Sequence, residues 1–145
     1  VIGDSQSPYI ANATKTFKLI NNTPGVNSLW LGGVGVSWLI NALKNYPTQY
    51  NVGKVVVSIG TNGGFNPNDN IKELFNQLKK VFPNAKFYAV QGSWGWGGNK
   101  NILTTNVLRY YELFKPYATV LKQPIGAQDP HGNLPVYKTI AKELE

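Results

Sequence analysis

Ser5 and His131 are the two side chains whose types could together perform nucleophilic catalysis in this sequence. Ser5 follows the apolar pair Val1-Ile2 and precedes a helical stretch, so its hydroxyl would stand at the top of a strand. Backbone N–H groups at the start of the next helix could there face a developing oxyanion. An Asp-Ser pair taken alone is more often a helix cap. A serine needs a base, and His131 is the single histidine of the chain. It lies in Gln128-Asp129-Pro130-His131-Gly132-Asn133, beside a carboxylate and directly before the last helical pattern. A nucleophile near one end of a chain and a base near the other can meet above the same sheet. Acyl transfer also needs oxyanion donors, and small residues let main-chain N–H groups approach closely. Gly33 or Gly35 could donate from the backbone and Asn62 from its side-chain amide, although each alone is ordinary turn chemistry.

The elements that must position these residues are legible as short apolar runs. Lys54 to Ile59 and Ala85 to Val90 read as buried strands, each ending at a glycine-containing turn. Val26 to Leu31, Ala118 to Leu121 and the stub Val1-Ile2 are weaker strand candidates. Helical spacing runs from Asn70 to Val81 and from Ile102 to Phe114, with Asp69 near the start of the first and Lys79-Lys80 at its end. Ser37 could cap a helix through Leu39, Ile40 and Leu43, and Asn133 a final one through Ile140 and Leu144. Tyr9 to Ile20 is a fainter helix. Strands alternating with helices argue an α/β fold with a parallel sheet covered on both faces, in which ligands bind beyond the carboxyl ends of the strands.

Composition limits the chemistry further. The 145 residues are the size of one domain, and 42% hydrophobic content can bury a core. No cysteine means no disulfide, thiolate metal site or cysteine nucleophile, and a single histidine excludes a zinc site built from several imidazoles. No apolar stretch approaches the ~20 residues of a membrane-spanning helix. The net charge of +7 would suit an anionic polymer, a membrane surface or nucleic acid, but scattered lysines are more often simply solvated. Nucleic acid is not expected, because Arg109 is the only arginine and no basic helix or aromatic-basic motif appears. Val1 reads as beginning inside a strand, so the expectation is a single domain, residues 1–145, cut from a longer polypeptide.

Taken together and in this order, Gly3-Asp4-Ser5, Gly33 or Gly35, Gly60-Thr61-Asn62 and His131 resemble the four sequence blocks of the SGNH hydrolases, the GDSL-type esterases and lipases. The run from His131 through Asn133 and Tyr137 to Ala141 is similar to that family's last block, and the resemblance spans the chain. Two positions depart from it. The family's acid stands three residues before the histidine, where this chain has Gln128, with Asp129 only two before. Either Asp129 orients the imidazole or Gln128 leaves a Ser–His dyad. The third block continues with Gly63 where the family usually has aspartate.

The resemblance implies a three-layer α/β/α sandwich around a mostly parallel, five-stranded, flavodoxin-like sheet. It also implies a serine esterase in which His131 deprotonates Ser5 and the oxyanion is held by the Ser5 and Gly33 or Gly35 N–H groups and the Asn62 amide. The resemblance further implies that neither a cofactor nor a metal is required. If an alcohol replaces water, the same site is an acyltransferase. Asp4, Trp94 and Trp96 are candidate substrate contacts, since indole faces stack on sugar rings and Gln91 to Asn99 follows a strand. The expected substrate is a small acyl ester, chiefly acetyl, on a carbohydrate or cell-wall polymer, in an extracellular, cell-surface or virion-associated setting. The rival reading is a glycan-binding or adhesion module without turnover.

Overall fold

Three consecutive valines, Val55 to Val57, can all be buried in one strand only if both faces of its sheet are covered. The computed structural model describes residues 1–20, 27–62, 66–90, 104–121, 131 and 134–145, and in it the strands β1 (Ile2–Gly3), β2 (Lys54–Ser58), β3 (Lys86–Val90) and β4 (Thr119–Leu121) form one sheet. The strand order is β1-β2-β3-β4 and every pairing is parallel, Val57 lying opposite Ile2 on one side and Ala89 on the other. Val55, Val57, Phe87 and Ala89 face a core shared with α2 (Val36–Lys44), α3 (Ile71–Val81) and the Tyr110 and Phe114 side chains of α4 (Thr104–Phe114). The alternate residues Val56, Tyr88 and Val90 face Ile10 and Ala11 of α1 (Ser7–Ala13) and Tyr137, Ile140 and Leu144 of α5 (Leu134–Leu144). Thus the fold is α/β, with helices on both faces of a parallel sheet. No helix among the described residues is long and apolar enough to cross a membrane.

The sheet has four strands among the described residues, where five were expected. Val26 to Leu31 does not form a strand over its described part: Trp30 makes a single parallel bridge to Gly3, on the side of β1 away from β2. The reason is local. Asn27 has φ 56°, a left-handed conformation that keeps the start of the stretch out of an extended run, and beyond it the Leu29 carbonyl and Leu31 N–H bond to Gly3 of the two-residue β1. The Tyr9-to-Ile20 helix is instead Ser7–Ala13, ended where Thr14 turns extended and its hydroxyl bonds the Ala11 and Phe17 carbonyls. Ser37 does not cap α2, because Gly35 is the N-cap and the buried Val36 is already helical. Asn70 caps α3, its side chain accepting from the Glu73 N–H at 3.0 Å. Asn133, the expected cap of α5, lies outside the described residues.

Candidate active site

The turn from β1 to α1 is shaped by two residues preceding Ser5. Gly3 has φ +125°, and a Cβ on it would lie 1.9 Å from the Ser58 carbonyl oxygen, so only glycine lets β1 pack this close to the end of β2. The Asp4 carboxylate accepts from the Gln6 N–H at 3.0 Å and from the Ser58 hydroxyl at 3.3 Å, while the Asp4 carbonyl accepts from the Ser7 N–H at 3.1 Å. These bonds close a turn with Ser5 at its corner, half-buried at the carboxyl end of β1.

His131 reaches that corner from the other end of the chain. Its Nε2 lies 2.6 Å from Ser5 Oγ, across 126 residues of sequence. For Ser5 to donate along this bond the imidazole carries its proton on Nδ1. The ring is held edge-on by Tyr9, centroids 5.6 Å apart at 72°, and Tyr9 in turn stacks on Tyr137 of α5 at 5.4 Å. Tyr9 is exposed above this stack. Neither tyrosine is expected from sequence as a site residue; the signals are the spacing of Tyr9, one helical turn beyond Ser5, and the place of Tyr137 in the run that follows His131.

Loop 31–35 closes the other side. A Cβ on Gly32 would lie 3.7 Å from that of Ser5, which makes Gly32 a neighbour of Ser5 that the sequence does not single out beside Gly33 and Gly35. Gly33 and Gly35 flank Val34, whose carbonyl accepts from Asn62 Nδ2 at 3.2 Å. The bond fixes the Asn62 amide against the glycine loop and leaves the second N–H of the same nitrogen for another acceptor. Asn62 is carried by the segment after β2, whose Gly60, φ +105°, lies under the Tyr110 ring, where a Cβ would meet ring carbons at 3.1 Å. The Tyr110 hydroxyl accepts from the Asn66 N–H at 3.1 Å and donates to Asp69, anchoring the far side of the same segment.

Asp4 corrects one expectation. It is 1% exposed and its bonded oxygen is spent on the turn, so in this structure it is a buried support beneath Ser5 and not the surface group that a substrate contact was expected to be. Burial pushes its carboxyl up to about 6, against the opposing pull of the Gln6 N–H, the Ser58 hydroxyl and the charge of His131. Asp129, Trp94 and Trp96 lie outside the described residues. Among the described residues no group of three or more acidic or histidine side chains converges as a metal site would require.

No protein-family model matches the chain. No curated protein matches it in sequence. Among solved structures it is similar to the C-terminal domain of the Drosophila Oskar protein, with TM-score 0.50 and 13% sequence identity over 83% of this chain and 62% of that one. The chain therefore spans about three fifths of that neighbour's length, and at this identity the likeness concerns the fold alone.

Proposed function

We propose that this protein is a serine esterase of the SGNH type, which removes small acyl groups, chiefly acetyl, from a carbohydrate. The observation that carries the reading is the 2.6 Å contact of Ser5 Oγ with His131 Nε2, in a corner flanked by the glycine loop and the Asn62 amide. The bridge of Trp30 to Gly3 supports the corresponding fold, since it places a fifth segment beside β1 in the order segment 30, β1, β2, β3, β4. In that order the chain leaves β1 toward one edge and returns to β2 on its other side. Ser5 and Asn62 follow β1 and β2, and so flank the point where the winding reverses, the place at which open α/β sheets bind ligands.

In the proposed reaction the Ser5 proton passes to His131 Nε2 as Oγ attacks the ester carbonyl carbon. The oxyanion lies against the Ser5 and glycine-loop N–H groups and the remaining N–H of Asn62. The bond to the alcohol oxygen then breaks, and His131 returns its proton to the departing alcohol. Water attacks the acyl-enzyme, gives a proton to His131 and releases the carboxylic acid, restoring Ser5. Asp4, mostly ionised at neutral pH, is close enough to feel the charge that His131 acquires in both steps.

The test is hydrolysis of a chromogenic acetyl ester, with acetate release from acetylated peptidoglycan, xylan and sialic acid as the substrate panel. Ser5→Ala and His131→Ala are each expected to lower kcat by about a thousandfold or more. A serine-directed phosphonate is expected to label the wild type and not Ser5→Ala. Turnover that survives either substitution, or none in the wild type from pH 6 to 9, overturns the reading.

A further inference from the structure

Helix α2 buries Val36, Leu39, Ile40 and Leu43, and so turns Trp38, Asn41 and Asn45, spaced at i, i+3 and i+7, toward its opposite flank. That flank is not bare surface. The segment after the helix brings Tyr46 and Gln49 to its lower end, Asn27 and Ser28 come up beside it from the edge of the sheet, and together they line a groove of about 470 Å³. The volume falls in the range of small-ligand sites.

The lining is chemically selective. None of its residues is charged, in a chain carrying 14 Lys and Arg, so the groove offers nothing to a phosphate or carboxylate. Its polar groups are mainly carboxamides, a group that carries both N–H donors and a carbonyl acceptor, and the exposed Asn41 and Asn45 side chains bring that pairing to the groove, which suits a ligand dense in hydroxyls. Gln49 is already oriented, its amide donating to the Pro47 carbonyl at 3.0 Å and leaving its own oxygen to accept. Trp38 and Tyr46, half-buried against the core, bring aromatic rings to the lining, the kind of apolar surface on which the C–H side of a pyranose packs. An acyl chain would strand the amides without partners, and a nucleotide would lack a cation for its phosphates.

We infer that the groove along α2 binds a neutral sugar residue of a glycan, at a subsite separate from Ser5. Trp38 stands one turn beyond Gly35, the N-cap at the end of the loop beside Ser5, so the groove and that loop share helix α2. The sugar class rests on the proposed function only in sharing it; the groove's own chemistry points the same way.

The experiment uses Ser5→Ala as the parent, so that binding is read without turnover, and titrates it by calorimetry with neutral oligosaccharides of xylose, glucose and N-acetylglucosamine. One of them is expected to bind with a single site. Asn41→Ala and Asn45→Ala, both at exposed positions that folding does not depend on, are each expected to weaken binding by about five- to tenfold. Trp38→Ala should weaken it by more than tenfold, with retained circular dichroism checking that the half-buried ring was not needed for folding. No binding by any of the three sugars at about 10 mM overturns the inference, as does binding that neither asparagine substitution alters. Failure of the esterase reading shows separately, as absent turnover by the wild type with binding intact.

Discussion

A carboxylate buried beneath Ser5 carries an energetic cost that an exposed substrate contact would not. Asp4 is 1% exposed, and its Oδ2 has no hydrogen-bond partner among the described residues. Its carboxyl, raised from 3.8 to about 6 by burial, favours the folded state most when protonated. That stabilisation is complete below pH ~4 and is lost as pH rises through about 6, leaving a cost of about 3 kcal/mol at neutral pH. Asp4→Asn keeps the acceptor for Gln6 and Ser58 and removes the charge. Urea unfolding at pH 4 and pH 7 should therefore show the Asp4→Asn variant gaining on the wild type by up to that amount at the higher pH and by little at the lower. An unchanged difference between the two pH values would mean that the carboxyl titrates as in the unfolded chain. The acid expected beside His131 is tested by Asp129→Asn, which should lower kcat by up to about 10⁴-fold if Asp129 orients the imidazole; wild-type rates would identify a Ser–His dyad. At this scale Ser5, His131 and Asn62 are candidates in the sequence because His131 is the single histidine and the turns of the other two are distinctive, and the structure brings Ser5 and His131 into contact. It did not disclose the job of Asp4, since an Asx turn and a ligand contact look alike until burial is known.

Among the elements, the segment from Gly60 to Asn70 has most to do with the geometry at Asn62. It follows β2, passes under the Tyr110 ring at Gly60, bonds Val34 through Asn62 and is tied to α4 at Asn66 and Asp69 through the Tyr110 hydroxyl. Burial and the Asp69 carboxylate both push the Tyr110 hydroxyl well above its ordinary range, so it stays protonated and donates at any working pH. Tyr110→Phe keeps the ring on Gly60 and removes both polar ties, at a stability cost of about 1–2 kcal/mol. If Asn62 is an oxyanion donor, loosening its segment should lower kcat about tenfold and leave KM nearly unchanged, because the oxyanion exists only beyond the ground state. A loss of thermal stability with unaltered kcat would make Tyr110 structural alone. The sequence announced β2, β3 and α3 clearly, through runs buried on two faces and strong helical spacing. It could not announce the tie from α4, which joins residues 41 apart at Asp69 and Tyr110. Nor could apolar content reveal that Asn27 turns left-handed within the stretch read as a strand.

For the whole molecule, parallel winding is what brings residues 5 and 131 together, since every strand ends at the same edge of the sheet and His131 follows β4 as Ser5 follows β1. The net charge of +7 is organised differently. Exposed lysines occur on both helical layers, Lys44, Lys72, Lys79 and Lys80 on one side and Lys15, Lys138 and Lys142 on the other. Charge spread in this way makes a diffuse field, whereas a cleft lined by one sign focuses field lines and can raise association by roughly tenfold to a thousandfold. An uncharged acetyl ester should consequently show the same kcat/KM from ~0.02 M to ~0.5 M salt, over which the screening length falls several-fold. An acetylated anionic polymer should lose only about two- to threefold across that range, the share due to long-range attraction. A loss of about tenfold or more would locate a focused basic track leading to Ser5, and a neutral glycan would then no longer be the better partner for the groove along α2. A small loss fits a molecule that recognises its polymer through uncharged amides and aromatic rings and uses its lysines as solvated surface.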